Sequence, residues 1–216
     1  MIPTRRDADY VAGETAVLFV DMQKVFAEPG RDPSHPERGP DHPFYRTLRQ
    51  TVIPNQQRIL VAARAAGVEV VHTVIEALTK DGRDRSLDHK LSDILVAKGD
   101  PAGAVIDALA PTDDEIILPK TSSGVFNSTN IDYVLRNLGI RYLIIAGIVT
   151  DQCVDMAVRD AADRGYCVSL AHDACATYTQ ERHEAALKAF GGYCWVTETD
   201  TVVARLQAMA KNTREG

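Results

Sequence analysis

The stretch from Arg141 to Tyr166, RYLIIAGIVTDQCVDMAVRDAADRGY, constrains the chain more than any other. Tyr142 to Ile148 is a short, unbroken apolar run of β-favouring residues, the pattern of a parallel strand buried on both faces. The period then changes. Val154, Ala157, Val158 and Ala161 stand at i, i+3, i+4 and i+7, one face of a helix that Gly165 closes. Thr150 or Asp151 is the expected N-cap, which puts Cys153 in the first helical turn. Unpaired backbone N–H groups and the positive end of the helix dipole favour an anion there. A thiolate is such an anion, and the same N–H groups suit the oxyanion that forms when a thiolate attacks a carbonyl. Taken singly, Cys153 is equally a small buried hydrophobe.

The rest of the chain repeats the strand-then-helix alternation. Apolar strand runs are expected at Ala16 to Val20, Val68 to Ile75, Glu115 to Leu118, Cys167 to Ala171 and Tyr193 to Val196. Helical patterns are expected at Tyr45 to Ala66, Ala102 to Leu109, Asn127 to Leu138, Gln180 to Phe190 and Asp200 to Ala210. Glu28 to Pro43 and Thr79 to Leu87 read as polar surface loops, the first a lid or part of a subunit contact. Such alternation with short connections predicts an α/β fold with a parallel sheet and helices on both faces.

With 216 residues, 45% of them hydrophobic, the chain can bury one sizeable core, and residues 1–216 read as a single domain. A net charge of −6 gives no reason to expect nucleic acid or an anionic membrane as partner. Four cysteines without a CxxC pair, and without zinc-like spacing to the six histidines, fit a reduced cytoplasmic setting and no metal. The N-terminal MIPTRRDADYVAGE has no apolar signal core, and no apolar run is long enough to span a bilayer.

Sites in open α/β sheets lie beyond the carboxyl ends of the strands. Asp21, Lys120 and Cys153 each stand just after a different expected strand. A turn-forming Asp or a solvated Lys is ordinary when met alone. An acid, a cation and a thiol at three such ends form a reaction set. Lys120 as an ammonium stabilises the Cys153 thiolate, and Asp21 takes the thiol proton and returns it to a leaving nitrogen. The thiolate attacks a carbonyl carbon and leaves an acyl-enzyme for water to cleave, with no metal or organic cofactor.

In VLFVDMQKVF around Asp21, ILPKTSSGVF around Lys120 and AGIVTDQCVDMAVRDAADRGY around Cys153, the sequence resembles the isochorismatase-like cysteine hydrolase family. The resemblance implies a three-layer, doubly wound fold around a central, mostly parallel six-stranded sheet, and the triad Asp21, Lys120, Cys153. It also implies a non-proline cis peptide between Ile148 and Val149, and an oxyanion hole from the N–H groups of Val149 and Cys153. The implied activity is that of the amide-cleaving branch, similar to ureidoacrylate, biuret and carbamoyl amidohydrolases, acting on a small amide or ureide.

Two alternatives stay open within the resemblance: an isochorismatase-type vinyl ether hydrolase and a nicotinamidase-like amidase. Metal-binding nicotinamidases carry Asp-x-His and further histidines after the second strand. Here the region reads HTVIEALTKDGRDRSLDHK, with His72 inside the strand and His89 far along the loop. A homodimer or homotetramer is implied as well, with a neighbour's loops able to close the pocket. By closeness in sequence to the triad, Gln23, Glu76, Asn127 and Gln152 are candidates to bind the substrate's amide groups, and Phe26 and Phe126 to wall the pocket. The loop arginines Arg31, Arg38, Arg83 and Arg85 would suit a carboxylate-bearing substrate if any pointed inward.

Overall fold

The computed structural model describes residues 3–32 and 34–215, with side chains described as far as Lys211. Its organising element is a six-stranded sheet in the order β3-β2-β1-β4-β5-β6, with every pairing parallel. The two central strands are β1 (Thr15–Val20) and, later in the chain, Tyr142–Ile148, both buried along their whole length. Burial on both faces explains their near-continuous apolar sequences. A short helix α1 (Lys24–Ala27) follows β1, and the next segment leads into α2 (Pro43–Thr47) and α3 (Ile53–Ala65).

The pattern from Tyr45 to Ala66 is therefore not one continuous helix. A single π-helical turn, Leu48–Val52, joins α2 to α3. Pro54 supplies a cause, because it lacks the N–H that would continue an α-helical ladder through this point. After α3 come β2 (Glu69–Ile75) and α4 (Leu87–Leu91), a helix that the polar-loop reading did not foresee. The helix expected from Ala102 to Leu109 is replaced by two 3₁₀ turns, Pro101–Gly103 and Asp107–Leu109. Between them Val105 bridges to Gln23.

The third strand, β3 (Ile116–Lys120), runs through Pro119 to Lys120, two residues beyond its expected end. It can do so because β3 is an edge strand, where a missing N–H is tolerated. The following helix is divided into α5 (Val125–Ser128) and α6 (Ile131–Asn137). At the break, the Thr129 hydroxyl donates to Val125 O and accepts from Ile131 N–H, a local alternative to the helical ladder.

The remaining elements are β4 (Tyr142–Ile148), α7 (Cys153–Asp163), β5 (Cys167–Ala176), α8 (Gln180–Ala189), β6 (Trp195–Thr197) and α9 (Thr199–Glu215). Strand β5 continues five residues past its expected end at Ala171. Helix α3 packs on α9, and both touch the sheet; α7 packs on β4, β5 and α5. Among the described residues no helix is long and apolar enough to cross a membrane.

The chain leaves β1 towards β2 and β3, then returns to pair β4 with β1. Strand order therefore reverses between β1 and β4, and the crevice beyond their carboxyl ends is where this topology places ligands.

Candidate active site

At that crevice β1 ends in Asp21, whose φ of +56° lies in the left-handed region that Asp tolerates better than most residues. Its N–H donates to Thr73 O at 3.1 Å, and the Thr73 hydroxyl donates to its Oδ1 at 2.8 Å. The carboxylate is thus fixed by the neighbouring strand β2. Lys120, the last residue of β3, is fully buried, and its Nζ lies 2.9 Å from Asp21 Oδ2. It donates to Ser122 O at 2.9 Å and Ser123 O at 3.1 Å, and stands 3.5 Å from Cys153 Sγ. Cys153 opens α7. Three strand ends thus deliver an acid, a cation and a thiol to one point.

Burial works against the Lys120 charge, but Asp21 and Cys153 beside it outweigh burial and raise its pKa, so it is an ammonium. Burial pushes the Cys153 thiol up to about 12, against the opposing pull of Lys120, and the Asp21 charge and its hydrogen bond to the thiol push the same way. The helix-terminus expectation of a resting thiolate is therefore not met. One cation and one anion already balance here, and a second anion in a water-poor pocket is unfavourable. The ground state is a neutral thiol beside the Asp21–Lys120 ion pair.

The sulfur faces a small inner cavity of about 50 Å³. An outer chamber of about 590 Å³ shares Phe26, Asp32, Ile94, Ser123, Gln152 and Tyr178 with it, so the two are adjacent. Among the described residues no group of three His, Cys, Asp or Glu side chains is arranged to hold a metal ion.

The family model for the Isochorismatase domain matches residues 15–201, most of the chain. The chain belongs to the isochorismatase family. It is similar to the ureidoacrylate amidohydrolase of Serratia proteamaculans, 28% identical over 98% of this chain and 91% of that protein. It also resembles the N-carbamoylsarcosine amidase of an Arthrobacter species, 31% identical over 70% of this chain and 55% of that one. Among solved structures, a cysteine hydrolase from Pseudomonas syringae pv. phaseolicola superposes with a TM-score of 0.79 and 29% identity over 94% of this chain and 96% of that one. The chain is thus a hydrolase, and its named relatives lie on the amide- and ureide-cleaving side of the isochorismatase family.

Within this isochorismatase-family fold the peptide between Ile148 and Val149 is cis, and Val149 lines the inner cavity. Neither Thr150 nor Asp151 caps α7. Its N-cap is Gln152, with no side-chain cap bond. The Thr150 hydroxyl is instead 2.9 Å from His183 Nδ1, and the Asp151 carboxylate holds Thr177 and Arg182.

The candidate substrate contacts divide. Phe26 and Gln152 line both chambers, and Asn127 lines the outer one. Gln23 does not. It is fully buried, its amide donates to Ile75 O and Gly103 O and accepts from Ile75 N–H, so it fastens β2 and has no group left for a ligand. Glu76 turns to Gly99 N–H. Phe126 packs against the Tyr166 ring, at 6.0 Å between centroids. Gln23 and Phe126 are near the triad in sequence and Glu76 follows the end of β2, but chain position does not set side-chain direction.

None of Arg31, Arg38, Arg83 and Arg85 lines either chamber. His72 is a core residue, stacked on Phe19 at 5.4 Å with its Nε2 3.6 Å from Glu115, and neither ring nitrogen has a hydrogen-bond partner.

The sequence reading missed Asp32, Ser123, Tyr178 and, above all, His89. His89 is buried, lines the inner cavity, and its Nε2 is 3.4 Å from Ser123 Oγ. A signal existed for the helix that carries it: Ser86 is a favoured N-cap residue, and its side chain accepts the His89 N–H at the start of α4.

Proposed function

We propose that this hydrolase is a metal-independent cysteine amidohydrolase, cleaving a C–N bond of a small linear amide or ureide of the ureidoacrylate, biuret or carbamoyl type through an acyl-cysteine intermediate. The observation that carries this reading is Lys120 Nζ standing 2.9 Å from the Asp21 carboxylate and 3.5 Å from Cys153 Sγ, against a cavity.

As Sγ adds to the substrate carbonyl, the thiol proton passes to the Asp21 carboxylate, so sulfur is never a free thiolate facing Asp21. Lys120 keeps that carboxylate oriented and offsets negative charge on sulfur. The carbonyl oxygen, now an oxyanion, is held by the N–H groups of Val149 and Cys153, which have no other acceptor among the described residues. Collapse breaks the C–N bond, and Asp21 returns its proton to the leaving nitrogen. Water then gives a proton to Asp21 and its oxygen to the thioester, releasing the acid or carbamate and restoring the thiol. The scheme uses no metal or cofactor.

The family supports assembly as a homodimer or homotetramer, and the cysteine count supports a cytoplasmic setting. The test is ammonia release from a panel of ureides, carbamoyl amino acids and nicotinamide. Cys153→Ala is expected to lose about 10⁴-fold or more in kcat with its fold intact. Full turnover by that variant contradicts the reading. Equal pyruvate release from isochorismate by the wild type and Cys153→Ala would instead favour vinyl ether hydrolysis, which needs no sulfur nucleophile.

A further inference from the structure

The two chambers carry an uneven charge. Among the described residues no lysine or arginine lines either one. Lys120 is fully buried and committed to Asp21. Arg31 pairs with Glu28, Arg83 with Asp81, and Arg85 donates to Gly82 O and Ile94 O. Arg38 lies over the Tyr178 ring, 3.7 Å from its centroid.

Carboxylates do line the chambers: Asp32 in both, and Asp88, Asp151 and Asp155 in the outer one. Arg182 neutralises Asp151 and Arg159 neutralises Asp155. Asp32 and Asp88 have no ion-pair partner among the described residues. Asp32 is only 7% exposed, and its Oδ1 accepts the Ser34 N–H at 2.9 Å, which leaves Oδ2 without a donor among the described residues.

A second polar side chain, His89, lines the inner cavity with Asp32. His89 is 1% exposed and lines the inner cavity, yet its Nδ1 has no hydrogen-bond partner. Burial, and then the Lys120 charge, lower its pKa, so the imidazole is neutral.

The geometry points to a substrate whose non-reacting end is uncharged or cationic and offers an N–H or ammonium donor to Asp32, and not to one that ends in a carboxylate. This rests on the amidohydrolase reading and narrows it. Ureidoacrylate and N-carbamoylsarcosine, after which the relatives are named, both carry a carboxylate, so the inference separates this chain from them in specificity. A carboxylate brought beside an unpaired Asp32 in a pocket of low effective dielectric loses affinity by at least about tenfold.

Calorimetric titration of the Cys153→Ala protein, in which the acyl-transfer step is removed, tests this with matched probes. N-carbamoylglycinamide and N-carbamoylethylenediamine are expected to bind at least about tenfold more tightly than N-carbamoylglycine. The first probe is uncharged and the second cationic, so their ratio tells which end Asp32 prefers. Adding Asp32→Asn keeps an oxygen for the Ser34 N–H but removes the charge, and is expected to shrink the preference to about threefold or less.

Equal or tighter binding of N-carbamoylglycine, no binding of N-carbamoylglycinamide, or an unchanged preference in the double variant overturns the inference. Wild-type ammonia release that favours N-carbamoylglycine and depends on Cys153 would remove this inference alone. Release that is independent of Cys153 would remove the amidohydrolase reading itself.

Discussion

The sulfur of Cys153 has a full ion pair beside it, and this neutral balance governs its chemistry. In the proposed mechanism its proton leaves only when a carbonyl arrives to take the electron pair, because burial holds the thiol at about 12 and the Asp21 charge pushes the same way. Iodoacetamide alkylation of the ligand-free protein should therefore keep accelerating from about pH 7 to about pH 10 without levelling. The sign follows from the direction of the shift: a raised thiol pKa leaves the reactive thiolate fraction still growing across that range. A plateau reached near pH 7 would show a depressed pKa and contradict the account. Asp21, Lys120 and Cys153 were legible as letters because each sits at the end of an apolar run. Asp32 was not, since it reaches the cavity through a loop whose path the apolar period does not encode, and His89 stands in α4, a five-residue helix too short for that period to mark. Cys153 in the first helical turn was also legible, but its pKa was not, because burial of a second anion outweighs a helix dipole.

At the scale of elements, the site depends on how closely β1 and β4 approach. Gly147, with φ of +141°, permits that approach: a Cβ there would stand 2.3 Å from Val20 O and 2.6 Å from Val20 N. The clash falls one residue before Asp21 and two before Val149, so it would disturb the carboxylate and the nucleophile turn together. Gly147→Ala is expected to destabilise the protein by about 3 kcal/mol or more in urea unfolding, with activity lost in parallel. An unchanged unfolding midpoint would contradict this packing argument. The strands were legible from their apolar runs, and β3 ran further because an edge position tolerates Pro119. Helix interiors were less so. Pro54 sat visibly within the pattern from Tyr45 to Ala66, whereas the break at Thr129 comes from a hydroxyl competing for backbone partners that no periodicity reveals.

Across the whole molecule, the reversal of strand order between β1 and β4 makes one crevice, and Asp21, Lys120 and Cys153 converge there from the end of β1, the end of β3 and the start of α7. Parallel strands with helices on both faces were legible from alternation, while the order of strands was not, because pairing partners are set by long-range packing. A single shared core predicts one cooperative calorimetric transition. A homodimer or homotetramer further predicts a melting midpoint that rises with protein concentration. Two resolved transitions would contradict the single domain, and a midpoint independent of concentration would contradict the oligomer.

The most direct measurement is intact-protein mass spectrometry on enzyme acid-quenched within its first turnovers of the best ureide or carbamoyl amide substrate. The account predicts a mass increase equal to the acyl group, mapped to the peptide containing Cys153 and absent from Cys153→Ala. Turnover with an unmodified Cys153 throughout, or the same adduct on Cys153→Ala, would contradict it.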